Sequence, residues 1–533
     1  MAAFKKVFSN RPFIGALLFA IFLYIFEEWL FDFHQGIFLQ YAVAFFSPQE
    51  KLIAFASSIG SFALCYFFAW AALKSSYFFQ VFYVFLFTVS SLVQYGFWKA
   101  VERFLSAADL RITAATPIDT WKGAGVLYFD WRFILPIVVF IFLLLLFSER
   151  QSFKPGVVKF GFVFLFLVVL TFFHTFAGDH INLGVSFSSF YQTITRFEID
   201  NVMPPRRERI DSQQLSAPPN NIVLVIDESI RGDHLAINGY GRDTTPILSR
   251  LAERENGFIN FGLAVAGATC SYPSNALLLT GVRPGIDDFE MTMNYPTVFQ
   301  YAKAMGYRTY YMDVQANSFW NGLTDNDVSF IDSWYKAIDF GDDIESDFRA
   351  ADEIVKIISK GNGNFIVLNK RGVHFLYENS YPANASVWLP LPGDYAQHPE
   401  LISNPYDNGI LYNVNTFFEH LLIDPKILEN TTILYTSDHG QTLFENQASW
   451  LHCNYTPQEA TVPLVLIGDD LPAIDDKYPA SHSNILPTLL DLMGVPPDQW
   501  AHPYAPSLFS GMEGTPDRFF LDGSLRLIDF PDP

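Results

Sequence analysis

Residues 221–229 read NIVLVIDES, and residues 432–440 read TILYTSDHG. Each is a short, unbroken apolar run that stops abruptly at acidic or imidazole side chains. Aliphatic runs of this length, with no polar alternation, suit strands buried on both faces, as in a parallel sheet covered by helices. The strand candidates are Ile222–Ile226, Tyr307–Met312, Phe365–Leu368, Thr432–Tyr435 and Leu464–Ile467, with helical stretches between them. The expectation is an α/β domain with a largely parallel sheet flanked by helices. Ligands on such sheets bind beyond the strand C-terminal ends. Asp227–Glu228 and Asp438–His439–Gly440 fall there.

Between these two runs, residues 267–281 (GATCSYPSNALLLTG) form a polar loop entering an apolar helix. A helix N-terminus offers unpaired N–H groups and a positive dipole end, both suited to a phosphate. A hydroxyl at that position, beside a divalent cation, loses its proton more easily and becomes a nucleophile. Carboxylate and imidazole side chains around such an oxygen suit zinc. Each piece alone has a plainer reading: Ser271 as an N-cap, DHG as a turn. Their joint placement at strand ends favours a site.

Outward from this domain, the rest of the chain differs in kind. Half of the 533 residues are hydrophobic and 17% are charged, against about a quarter in soluble domains. The shortage of charge lies almost wholly before residue 180. Five apolar segments there read as membrane spans: Pro12–Leu30, Leu52–Leu73, Tyr77–Trp98, Val126–Phe147 and Phe160–Ala177. The first runs into Glu27–Glu28 without a small-residue cleavage site, unlike a removable signal peptide. Residues 1–178 are therefore expected to form a five-span membrane domain. Residues 179–220 supply an interfacial helix and a Pro-rich, charged linker, and residues 221–533 the catalytic domain.

Lys5, Lys6 and Arg11, then Lys74, then Arg150, Lys154 and Lys159 mark one side of the spans as cytoplasmic. The connection Lys99–Arg132 also carries five basic residues and runs against this pattern. With five spans, everything after residue 178 lies outside the cytoplasm. The formal net charge of −21 argues against nucleic acid as a partner. Of three cysteines, Cys65 sits in an apolar run, so at most one bridge, Cys270 to Cys453, is available in an oxidising compartment.

The stretch VLVIDESIRGDHLAINGYGRDTTPILSRL resembles the opening of the catalytic domain in membrane-anchored phosphoethanolamine transferases of the alkaline phosphatase and sulfatase superfamily. The resemblance continues through the 267–281 loop, NKRGVHFLYENSYP, SDHGQTLFENQASWLHCNYTPQEATVPLVLIG and SHSNILPTLLDLMG, in order over roughly residues 221–495. A five-span anchor matches that architecture too. Carried over residue by residue, it implies metal ligands at Glu228, Ser271, Asp438 and His439. The reactive hydroxyl falls on Ser271, counting back from LLLTG, with Thr269 as the alternative. His374 and His452 match positions that hold the phosphate or the leaving group. His482 sits in a recurring motif, where the helix-capping reading leads.

The resemblance implies a zinc enzyme, with manganese as second choice, in a bacterial inner membrane with its catalytic domain on the periplasmic side. It would take phosphoethanolamine from a phospholipid such as phosphatidylethanolamine and pass it, through a phosphorylated Ser271, to a glycan or lipid acceptor such as lipid A. Transfer of phosphoglycerol is the runner-up, ahead of a phosphodiesterase or sulfatase. Two departures stand out. The several disulfides common in these transferases have no cysteines here, and Asn275 replaces the Arg of the sulfatase CxPSR motif, against formylglycine chemistry.

Overall fold

The computed structural model describes residues 11–31, 62–101, 130–148, 207–210 and, with short gaps, 218–531, besides isolated positions from 105 to 194. The chain divides into two compact units, Met1–Pro204 and Pro205–Pro533.

In the first unit the described helices are α1 (Arg11–Phe31), α2 (Phe62–Leu73), α3 (Tyr77–Val101) and α4 (Leu135–Phe147). Aromatic rings knit them together: Phe19 meets Phe87 at 5.2 Å and Phe140 at 4.6 Å between ring centroids. Their outer faces are apolar as well, with Tyr77, Phe78, Phe85 and Leu145 all more than half exposed. A helix apolar all round has no face suited to water. Among the described residues, one helix, Tyr77–Phe97, is long and apolar enough to cross a membrane; Phe62–Leu73 and Trp131–Phe147 are shorter apolar helices. Span five, the first part of span two and most of residues 179–220 lie outside the described residues.

The second unit is built on a seven-stranded sheet in the order β2-β7-β6-β1-β5-β3-β4. The strands are β1 (Asn221–Asp227), β2 (Phe258–Val265), β3 (Arg308–Asp313), β4 (Ser333–Tyr335), β5 (Asn364–Asn369), β6 (Thr431–Ser437) and β7 (Thr461–Ile467). All five expected strands are present. Five strands, β6-β1-β5-β3-β4, run parallel, while β7 pairs antiparallel with both β6 and β2. The sheet is thus mixed. Leu464–Ile467 reads like a parallel strand because it is buried on both faces, and burial alone does not encode direction.

Strand β1 shows why its run is unbroken. Ile222, Leu224 and Ile226 enter the core on one face, with α5 (Ser271–Thr280) and α7 (Ile485–Met493). Val223 and Val225 enter the core on the other, with α6 (Ser346–Ile358). The register aligns the strand ends: Asp227 lies opposite Ser437, and Ile226 opposite Asn369. A C-terminal hairpin, β8 (Phe519–Leu521) with β9 (Leu527–Asp529), backs the loop before α5 through Thr269 N to Leu521 O and Leu521 N to Gly267 O, both 2.9 Å.

Candidate active site

At the end of β1 the chain sends its two acidic residues to opposite sides. Asp227 is fully buried and pairs with Lys370, whose Nζ lies 2.5 Å from Asp227 Oδ2. Tyr435 donates to the same oxygen at 3.0 Å. Glu228 turns the other way, toward the end of β6. There Glu228, Asp438 and His439, all buried, bring one ligand atom each to within 4.8 Å of one another. His439 Nε2 is 3.5 Å from Glu228 Oε1 and 3.6 Å from Asp438 Oδ2.

Ser271 completes the cluster. Cys270, not Ser271, occupies the N-cap position of α5 and makes no side-chain capping hydrogen bond, so the plainer reading of Ser271 as an N-cap does not hold. As the first helical residue, Ser271 directs its Oγ to Glu228 Oε2 at 3.2 Å and to His439 Nε2 at 3.1 Å. Thr269 is fully buried, and its backbone is engaged by Leu521 and Cys453.

Three imidazoles surround this point in the same tautomer. His439 Nδ1 faces Gly440 O at 2.6 Å, His374 Nδ1 faces Phe375 O at 2.8 Å, and His452 Nδ1 faces Gln441 Oε1 at 3.2 Å. A carbonyl oxygen only accepts, so each Nδ1 carries the proton. The Nε2 atoms are left for the site. The ring of His452 lies 4.4 Å from that of His439 and 5.6 Å from that of His374. All six sequence-derived candidates other than Thr269 therefore gather in one place.

The electrostatics are those of a site built for a cation. Burial pushes the Asp438 carboxyl well above the usual carboxylate range, and the charge of Glu228 pushes it further. Burial also opposes ionisation of Glu228, but His439, His374 and His452 outweigh it and hold that carboxyl down to about 2. Burial lowers His439 and lowers His452 well below the ordinary imidazole value. Asp438 Oδ2 is buried with no hydrogen-bond donor. Two carboxylates, an imidazole lone pair and a hydroxyl oxygen converge with one hydroxyl proton among them. Such a donor set fits a divalent metal such as zinc.

Some supporting residues escaped the sequence reading. Gln315, just beyond β3, donates from Nε2 to Glu228 Oε2 at 3.1 Å, and Ser229 donates to Glu228 Oε1 at 2.6 Å. His482 is not a cap; Ser481 is, in a capping box with Asn484. His482 is instead buried, accepting at Nδ1 from Gly267 N at 3.1 Å and facing Thr436 Oγ1 through Nε2 at 3.2 Å. It thereby ties the 267–281 loop to β6. Burial lowers its pKa to about 3, so it stays neutral.

Residues 220–495 match the model of the family described as Sulfatase, which is more than half of the chain. The chain belongs to the sulfatase family. Among curated relatives, this sulfatase-family chain is similar to the Kdo(2)-lipid A phosphoethanolamine 7''-transferase of Escherichia coli strain K12. The two are 26% identical over 272 residues, 49% of this chain and 46% of that one. The chain spans about half the length of the curated relatives it matches. Its fold is similar to that of the C-terminal periplasmic domain of EptC from Escherichia coli in complex with Zn. That likeness has a TM-score of 0.51 and 19% identity over 61% of this chain and 97% of that one. The integral membrane protein lipooligosaccharide phosphoethanolamine transferase A from Neisseria meningitidis has a similar fold over 91% of this chain and 95% of its own, with TM-score 0.55 and 17% identity.

Proposed function

We propose that this chain is a multi-pass, zinc-dependent phosphoethanolamine transferase of a bacterial inner membrane, with its catalytic unit on the periplasmic side. The observation that carries the reading is Ser271 Oγ, at a helix N-terminus, within 3.2 Å of both Glu228 and His439. The names of the relatives and the apolar helices of the first unit support the reaction class and the membrane.

Glu228, Asp438, His439 and Ser271 would hold the zinc ion, with manganese as the alternative. When bound, such an ion lowers the pKa of the serine hydroxyl and offsets charge on a phosphate. Ser271 Oγ gives up its proton and attacks the phosphorus of phosphatidylethanolamine. The bond from phosphorus to the diacylglycerol oxygen breaks, and that oxygen takes a proton. In the second half, an oxygen of a lipid A-like acceptor attacks the phospho-serine, and Ser271 regains its proton. His374 and His452 face the phosphate and the departing oxygen with their Nε2 atoms. The apolar helices of the first unit would anchor the chain in the membrane that holds the lipid donor.

The test is incubation of the full-length protein with head-group-labelled phosphatidylethanolamine or phosphatidylglycerol, with lipid A present. Label should reach lipid A from the first donor alone. Transfer from phosphatidylglycerol, or from neither, would overturn the assignment.

A further inference from the structure

Cys270 and Cys453 are joined in a disulfide across 183 positions of the chain. Its two ends have unusual neighbours. Cys270 stands at the N-cap position of α5 and is bonded directly to Ser271, while Cys453 is bonded directly to His452. One covalent link therefore joins the segment bearing the candidate nucleophile to the segment bearing a candidate substrate-binding imidazole. Of the three cysteines, the other, Cys65, is free and buried in the first unit.

The surroundings of Cys453 hold its backbone in one arrangement. Cys453 N donates to Thr269 O at 2.8 Å, and its φ of 70° lies in the left-handed region that non-glycine residues adopt only under constraint. Gly523, beyond the strand that backs Thr269, packs so tightly that a Cβ there would fall 2.1 Å from Cys453 O. Next to Cys453, the His452 ring lies 4.4 Å from the ring of His439, with its Nδ1 on Gln441. Without the sulfur bridge, only the hydrogen bond to Thr269 and the packing of Gly523 would be left to hold this end of the segment. A fixed imidazole in a site needs such support, because small displacements of positioned groups are costly.

We propose that the Cys270–Cys453 disulfide is a positioning device that fixes His452 over the Ser271–His439 centre, so that the substrate-binding site is complete only in the oxidised chain. This rests on the reading of His452 as a substrate-binding residue. It also ties the site to an oxidising compartment, where such a bridge persists.

The experiment uses the full-length protein in detergent, intact, reduced and alkylated, and as the double variant Cys270→Ala/Cys453→Ala. Melting curves and zinc content show which preparations remain folded. Carbethoxylation of each histidine is followed by peptide mass spectrometry, and transfer from labelled phosphatidylethanolamine is measured alongside. Opening the bridge should raise the reactivity of His452 several-fold while His439 stays protected. Transfer should fall about tenfold or more, the scale on which groups supporting site residues act. His452→Ala should lower transfer in the oxidised protein and have no further effect once the bridge is open. Unchanged His452 reactivity in folded, bridge-free protein would overturn the proposal, as would independent, multiplying effects of His452→Ala and bridge removal. If the intact protein transfers no head group but His452 still responds to the bridge, the functional reading fails and the clamp stands.

Discussion

Lys370 Nζ lies 2.5 Å from Asp227 Oδ2, with both side chains fully buried. The lysine neutralises the first carboxylate of the Asp227–Glu228 pair and leaves the second for the site. Removing one partner of a buried ion pair strands the other, at a cost of roughly 3–5 kcal/mol. Lys370→Met should therefore lower the thermal midpoint of the second unit markedly. Adding Asp227→Asn should recover part of the loss. Calorimetry of the full-length protein checks both, and an unchanged midpoint in Lys370→Met would contradict the pairing.

The facing carboxylates of Glu228 and Asp438 set a pH dependence. The folded-state pKa of Asp438 is raised by burial and then by the charge of Glu228. A raised pKa favours the fold below the unfolded value, and that contribution is lost as pH rises through the folded one. Chelator-treated protein should thus melt at progressively lower temperature as pH rises above about 4, the ordinary carboxylate value. Glu228, held near 2, titrates below that window. Added zinc should restore the midpoint at neutral pH, and Asp438→Asn should flatten the slope while abolishing zinc binding. A chelated protein whose melting is independent of pH would rule out this arrangement.

Gly372 explains how Glu228 is aimed. Its φ is +55°, and a Cβ there would lie 2.5 Å from Glu228 O and 2.6 Å from Asp227 Oδ1. Val373 N also donates to Glu228 O at 3.1 Å, so the backbone cannot move away cheaply. Gly372→Ala should cost at least about 1 kcal/mol from the left-handed backbone alone. It should also displace Glu228, reducing zinc content and transfer together. Retained zinc stoichiometry with normal transfer would count against this role.

The sequence made the centre of the sheet readable because β1, β5 and β6 are apolar on both faces, which leaves little else for such short runs to be. It left β2 unread: Phe258–Val265 has a half-exposed, irregular pattern with a register shift between Asn260 and Leu263. The three residues of β4 are too short to carry a period. Glu228, Asp438 and His439 were legible because they stand at strand ends in order. Gln315 was not, since a glutamine after a strand carries no signal until the fold brings it to Glu228. His482 shows the opposite failure: its motif suggested a cap, but its ring belongs to the interior.

Membrane organisation divides in the same way. Hydropathy leads to an expectation of five spans, whereas among the described residues one helix, Tyr77–Phe97, meets the length and composition test. Apolar composition identifies the kind of segment, whereas the packing of one such helix on another depends on ring contacts such as Phe19 with Phe140 that no simple period predicts.

The most direct test of the account concerns Ser271 itself. Zinc-loaded, full-length protein is incubated with phosphatidylethanolamine in the absence of acceptor, and its intact and peptide masses are measured. A phosphoethanolamine adduct should appear on Ser271, be absent from Ser271→Ala and persist in Thr269→Ala. An adduct that survives Ser271→Ala, or that maps to Thr269, would contradict it.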